Sequence, residues 1–426
     1  LFHIDLCNPI TEPDYLPNAY LKDVQQASVI LARTTANSSL HETQLRNFKQ
    51  LFVEKYGDRE IPLTEALDQE QGIGFPAQSK LGNISYNEIA ECIPGVSKNR
   101  LLSTERRMEP FELWLKKKVF KAQEEPTLEI EINKYDVAQF ADQSEKFASE
   151  LSVMGTILPS GKLLLENFGG SNGFALLGRF SYMNDDLEKW CKSEISKPQT
   201  SEDIIYAEIV HLPEGRTANI ARPTGLLAYQ IPYLAYVGQD DRTVPISNIL
   251  LSIQDDELIL RCKESGRRII PILANAHNYL RSDLPIYRFL AAIQHQGRLG
   301  LSIHLGDWAN WYRFIPRIRT GNVILQRARW NILEDDMNAI MNSEEPLIAL
   351  KELLKKWCVS ARVSIQDGDN ELFIDTQKED YLMLLIQEMK GRKRLVLVEC
   401  LFDSDHLTTQ KGYIKQFILP LRRAEN

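Results

Sequence analysis

Residues 249–273 read ILLSIQDDELILRCKESGRRIIPIL. Apolar runs at Ile249–Ile253 and Leu258–Leu260 flank Asp255-Asp256, and a third run, Ile269–Leu273, follows Gly266. Short β-branched and leucine-rich runs separated by turn residues predict strands, here an antiparallel β region with one buried face. The same texture extends outward over 203–330, through YQIPYLAYVGQDDRTVPISN, LPIYRFLAAIQHQG and FIPRIRTGNVILQRARW. Its basic residues fall close to turns. Arg216 follows Glu214-Gly215, Arg222 precedes Pro223, and Arg317 and Arg319 stand between Pro316 and Gly321.

The chain has 426 residues, long enough for two or three ordinary domains or one large body of several subdomains. Apolar residues make up 43% and charged residues 25%, as in globular proteins, so a core can form and a disordered class is excluded. A net charge of -8 argues against a generic nucleic-acid binder while leaving room for a local basic surface. Cys7, Cys92, Cys191, Cys262, Cys358 and Cys400 are widely spaced, with no CxxC pair, and are expected to be reduced thiols in a cytoplasmic protein. No apolar run approaches the roughly 18 residues that span a bilayer. The chain opens on Leu1 in mid-pattern and ends just after a strand-like run, as a piece of a longer protein would.

Outward from the central stretch, LFHIDL (1–6) alternates as a strand and Tyr20–Arg33 reads as a helix. Ser39 and Glu42 have capping-box spacing ahead of a stripe of Leu45, Phe48, Phe52 and Tyr56, with Gly57 as the stop. Pro110–Ala122 reads as a helix with Lys116, Lys117, Lys118 and Lys121 on one face. A solvated surface is the ordinary explanation for that face, and contact with phosphate the alternative. TLEIEI (127–132) and the two runs around Pro159-Ser160-Gly161 are strands, and Asp185–Lys192 is a helix. Residues 198–202 form a short polar linker. After Trp330, helices are expected around Met337–Met341, over Leu347–Trp357 and over Tyr381–Met389. Strands are expected at Val363–Ile365, Glu371–Ile374, Arg394–Leu401 and FILPL (417–421). The fold class is therefore α+β, mostly antiparallel sheets with peripheral helices in several subdomains, divided as 1–200, 201–335 and 336–426.

Several stretches have a more specific likeness. YAEIVHLPEGRTANIARP (206–223), NAHN (275–278), YRFL (287–290) and PRIRTGNVIL…ARW (316–330) resemble the lantibiotic dehydratases, and so does FVEKYGDREIPLTEALDQEQGIGFP (52–76). The glycine-rich GGSNGFALLGRFSY (169–182) is not a P-loop, since no GK[ST] follows, and no strand–GxGxxG–helix unit frames it. It too resembles the family, as does LVLVECLF…FILPL near the end. The motifs occur in the family's order over nearly the whole chain and correspond to the central and C-terminal part of its glutamylation region.

The resemblance implies transfer of glutamate from glutamyl-tRNA to Ser or Thr of a precursor peptide, before elimination by another domain to dehydroamino acids. It implies catalytic roles for Asp5, Arg179 and Arg216, and tRNA or substrate contacts for Arg222, Arg317 and Arg319. It also implies a cyclase as partner, a homodimeric full-length protein and no cofactor besides the glutamyl-tRNA co-substrate. The family's further N-terminal arginines and leader-binding unit are absent from these residues, so the chain alone is expected not to dehydrate anything.

Acyl transfer needs a stabilised oxyanion and a proton acceptor, and arginine suits phosphates and carboxylates. The run Trp308–Leu333 carries Arg313, Arg317, Arg319, Arg327 and Arg329 with no acid. Arg317 and Arg319, two apart on a strand, face the same way. Salt bridges to acids elsewhere are the bland explanation for them. His277 and His295 are isolated along the chain and no GxSxG occurs, so neither a metal nor a covalent nucleophile is expected. A non-catalytic peptide- or partner-binding module on the same scaffold is the alternative. An unrelated RNA-binding β protein is disfavoured by the acidic balance.

Overall fold

The computed structural model describes residues 15–35, 40–77, 108–124, 127–147, 150–169, 173–196, 203–211, 223–237, 242–275, 277–282, 284–297, 300–303, 305–367, 370–402 and 416–422. The strand expected at 1–6, with Asp5, lies outside these residues. So do Ser39, the linker at 198–202, and Arg216 and Arg222.

The longer helices are α1 (Asn18–Thr34), α2 (Leu40–Tyr56), α3 (Pro110–Glu124), α4 (Asp185–Ser196), α5 (Pro285–Ile293), α6 (Glu334–Met341), α7 (Pro346–Lys356) and α8 (Glu379–Met389). The strands are β1 (Ile61–Pro62), β2 (Glu129–Glu131), β3 (Glu150–Ile157), β4 (Leu163–Phe168), β5 (Ile204–His211), β6 (Tyr229–Tyr233), β7 (Ile249–Gln254), β8 (Glu257–Cys262) and β9 (Arg268–Ile272). They continue as β10 (Phe314–Ile315), β11 (Arg317–Thr320), β12 (Val323–Gln326), β13 (Arg329–Leu333), β14 (Arg362–Asp367), β15 (Asn370–Asp375), β16 (Arg394–Glu399) and β17 (Gln416–Arg422).

Local chemistry accounts for the helix ends and faces. The α2 stripe of Leu45, Phe48, Phe52 and Tyr56 is buried, and Gly57 follows at φ +62°, a conformation that costs glycine little. In α3 the residues Phe111, Leu115, Val119 and Ala122 face inward while Lys117, Lys118 and Lys121 face out. The Asn184 carboxamide accepts from the Asp186 and Leu187 amides at 2.9 and 3.0 Å and so caps α4.

Three sheets organise the described residues. The first has order β1-β7-β8-β9-β5-β6, the second β10-β13-β16-β14-β15, and the third β17-β3-β4-β12-β11-β2. Helices α2 and α5 cover the first: Phe48 and Phe75 meet Phe289 with ring centroids 5.1 and 5.3 Å apart. Helices α6, α7 and α8 cover the second around Trp330. The third packs on α1 and α3. Its strands come from residues 129–168, 317–326 and 416–422, and the first sheet's from 61–62 and 204–272, so the spans expected from sequence share sheets.

The fold class is α+β, with two differences from expectation inside the central stretch. The β7–β8 hairpin turns at Asp255-Asp256, both at positive φ, and β9 pairs antiparallel with β8. Strand β5, however, runs parallel to both β9 and β6, and β2–β11 and β4–β12 are parallel as well. IIYAEIVH is buried nearly throughout, which is how a strand inside a parallel layer reads. LPIYRFLAAI is not a strand but contains helix α5, with Pro285 in its first turn. Tyr287, Phe289, Leu290, Ala291, Ala292 and Ile293 are all buried. Arg288 is its one charged residue, and a run this short and this apolar is not separated by pattern from a core strand.

Candidate functional site

The glycine-rich segment folds as a short helix, Gly173–Leu177, followed by a 3-10 helix, Gly178–Met183. Arg179 lies at the start of the latter, its guanidinium 4.2 Å from the Phe180 ring centroid. Leu177 packs in a cluster with Tyr206 of β5 and with Leu226 and Leu227. The Arg179 element is thus held against the same cluster as the residues that come shortly after Arg222.

Glu208, buried on β5, accepts from the Thr224 amide at 2.6 Å, the Thr224 hydroxyl at 3.0 Å and the Gly225 amide at 3.2 Å. Burial raises its carboxyl pKa against the pull of those donors. It ties residues 224–225 to the strand that ends at His211. Sequence reasoning passed over Glu208. A lone carboxylate inside an otherwise apolar strand was the signal, because such a group survives burial only with dedicated donors.

His211 closes β5 and is buried. Its ring stacks on Tyr287 of α5 with centroids 3.8 Å apart, and His277 lies 5.6 Å from both rings. His277 Nδ1 is 2.6 Å from the Tyr287 hydroxyl. His277 is therefore isolated in the chain but not in space. Among the described residues no group of three or more His, Cys, Asp or Glu could hold a metal.

Burial and the neighbouring His277 pull His211 down to about 4 from 6.5. The unfolded chain then binds a proton that the folded one refuses, so stability should be full above about pH 6.5 and fall as pH drops toward 4. The loss should approach 3 kcal/mol, by about 1.36 kcal/mol per pKa unit. Glu208 acts in the opposite direction, which makes His211→Phe the control: its acid destabilisation between pH 6.5 and 4 should be smaller than wild type's in denaturant titrations.

Arg317 and Arg319 do face the same way on β11, and both reach Glu129 of β2. Arg317 also donates twice to Glu399, its Nε at 3.0 Å, and Arg319 donates to Glu131 at 2.8 Å. Hydrogen bonds to Glu399 and Glu129 raise the pKa values of Arg317 and Arg319. Burial pushes Glu129 up, but Arg319, Lys162 and Arg317 together hold it below the usual range.

Arg313 makes a two-pronged pair with Asp336 at 3.1 and 3.2 Å, and Arg327 pairs with Glu371. The acid-free run is thus met by carboxylates from other strands and helices. Arg329 differs: its guanidinium donates to the Ala309 carbonyl at 3.3 Å and to the amide oxygens of Asn310 and Asn331 at 2.9 and 3.2 Å.

Residues 1–385 match the family model described as lantibiotic dehydratase, N terminus. The nisin biosynthesis protein NisB of Lactococcus lactis subsp. lactis is 23% identical, over 94% of this chain and 40% of its own length. The subtilin biosynthesis protein SpaB of Bacillus subtilis is 24% identical, over 93% of this chain and 39% of its own. Among solved structures, the tRNA-dependent lantibiotic dehydratase MibB of Microbispora sp. 107891 superposes with a TM-score of 0.74 at 20% identity, covering 96% of this chain and 40% of that one. The glutamylation domain TbtB from thiomuracin biosynthesis gives 0.58 at 16%, covering 97% and 51%.

The fold is an α+β body similar to those of these solved structures. The chain belongs to the lantibiotic dehydratase family, in the N-terminal region of those proteins. It spans about two fifths of the length of the curated relatives it matches. No helix among the described residues is long and apolar enough to cross a membrane.

Proposed function

We propose that this chain forms part of a glutamylation unit that moves glutamate from glutamyl-tRNA to Ser or Thr of a precursor peptide. The observation that carries the reading is the packing of the Arg179 element against the cluster that includes Leu226 and Leu227. Arg179, with Asp5, Arg216 and Arg222, is the set assigned to the transfer. Arg179 and Arg216 stabilise the developing oxyanion, Asp5 takes the hydroxyl proton, and Arg222 contacts substrate. Arg317 and Arg319 contact tRNA or substrate only if they exchange Glu129, Glu131 and Glu399 for it. Glutamyl-tRNA and the precursor peptide are the partners, a cyclase and a second copy of the full-length protein further ones, and the cytoplasm the compartment.

The test supplies glutamyl-tRNA and precursor peptide to the protein within its full-length parent and follows glutamate adducts by mass spectrometry. Arg179→Ala should lower the adduct rate roughly 100-fold or more, the scale set by losing one oxyanion donor. Adducts at the wild-type rate from that variant would remove Arg179 from the reaction. Dehydrated peptide from the 426-residue chain alone would overturn the expectation that the chain by itself does not dehydrate.

A further inference from the structure

A cleft of about 740 Å³ opens where the end of β13 meets the start of β16, and Trp311, Lys393 and Arg394 are among its lining. Its geometry follows from the strand register. Leu333 is the cross-strand partner of Arg394, so the turn before β16 lies beside the first residues of α6, Glu334 and Asp335. Strand alternation puts Arg329, Asn331 and Leu333 on one face.

Trp311 is 78% exposed, yet its backbone is fixed from both sides. The fully buried Asn331 carboxamide donates to the Ala309 carbonyl at 2.9 Å and to the Tyr312 carbonyl at 2.5 Å. The indole is presented on a held turn, at the cost of exposing a large apolar ring.

The charges around it are unevenly compensated. Arg392 is paired with Glu388 at 2.7 Å. Lys393 and Arg394 are exposed and form no ion pair among the described residues. Arg329 is largely buried, its acceptors are all neutral oxygens, and its Nε has no partner. Burial and then the nearby Arg394 lower its pKa. A buried cation without a carboxylate is costly, and an anion drawn to it offsets that cost. Glu334 and Asp335, beside the turn before β16, are exposed hydrogen-bond acceptors in the same lining.

We propose that this cleft holds one unstacked nucleotide of the RNA substrate. The base lies on Trp311, the phosphate lies against Lys393 and Arg394, and the amino edge of the base donates to Glu334 or Asp335. Single-stranded RNA is held in this way generally, by a flat ring for the base and cations for the backbone. The volume lies within the usual 300–1,000 Å³ or so of small-molecule sites. The carboxylates favour bases with an exocyclic amino group over uracil, since a carboxylate accepts from such a group and repels a carbonyl. The inference rests on the tRNA-dependent reading above but assigns a surface outside the set grouped around Arg179.

The experiment titrates the 426-residue chain with a glutamate tRNA transcript, and separately with short single-stranded cytosine and uracil oligomers. Trp311→Ala and the pair Lys393→Glu/Arg394→Glu should each weaken transcript binding roughly 10-fold or more, while Trp311→Phe retains most of it. All these positions are exposed, and thermal melts should be unchanged. The cytosine oligomer should bind more tightly than the uracil oligomer, and Glu334→Gln/Asp335→Asn should erase that preference. Wild-type affinity in both the Trp311→Ala and the charge-reversed proteins would sink the cleft while leaving tRNA-dependent glutamylation standing. Failure of the wild-type chain to bind the transcript at all would sink the cleft and count against that reading too.

Discussion

Trp330→Ala should weaken the second sheet by about 3–5 kcal/mol, the range found when a large buried aromatic is truncated. Trp330 has no exposed surface and stacks on Phe314 with centroids 5.4 Å apart. Its indole N–H donates to the Trp357 carbonyl at 3.1 Å. It belongs to the cluster in which α6, α7 and α8 meet the sheet, so neighbours fixed by two layers cannot close over the hole. Hydrogen exchange on the β13 and β16 amides is the suitable readout, because it measures opening of this sheet without requiring the whole chain to unfold in one step. Trp330→Phe should recover part of the loss, and protection within about 1 kcal/mol of wild type in the alanine variant would show that the layer does not depend on it.

Elements whose burial is one-sided were legible in the sequence. Helix α2 announced itself through Leu45, Phe48, Phe52, Tyr56 and Gly57. The β7–β8 hairpin did so through two apolar runs around Asp255-Asp256. What failed was discrimination among segments buried on every side. Helix α5, with Arg288 its one charged residue, and strand β5, buried nearly throughout, are short and mostly apolar, which leaves the helical nature of the first and the parallel pairing of the second weakly marked in the sequence.

Polar groups were harder still. His211, His277 and Tyr287 come together because β5 lies against α5 and His277, and Glu208 is held from Thr224 and Gly225, contacts that the order of residues along the chain does not announce. The arginine run shows the same limit from the other side. It holds no acid within twenty or so residues, yet β2, β15 and β16 bring Glu129, Glu371 and Glu399 to it. Spacing along one strand could predict that Arg317 and Arg319 share a direction, but which strand lies opposite is set by the topology.

That distinction can be measured at Glu399. Its side chain is 11% exposed and receives two hydrogen bonds from Arg317, while its Oε2 lies 3.4 Å from the Ala328 amide. Glu399→Ala leaves a guanidinium that is itself only 22% exposed, and the expected cost is about 2–4 kcal/mol. The figure sits somewhat below that for a fully enclosed pair because Arg317 keeps Glu129 at 3.0 Å.

If the pair serves to join the second and third sheets, Arg317→Ala should cost a similar amount and the double variant less than the sum, by about 1 kcal/mol or more. If Arg317 serves the substrate instead, Glu399→Ala should free a cation, tighten binding of a tRNA transcript and cost little stability. Because β11 belongs to the third sheet and β16 to the second, hydrogen exchange in both reports whether breaking one carboxylate–guanidinium contact loosens their junction. Additive single-site losses together with tighter transcript binding would overturn the structural assignment and return Arg317 to the substrate.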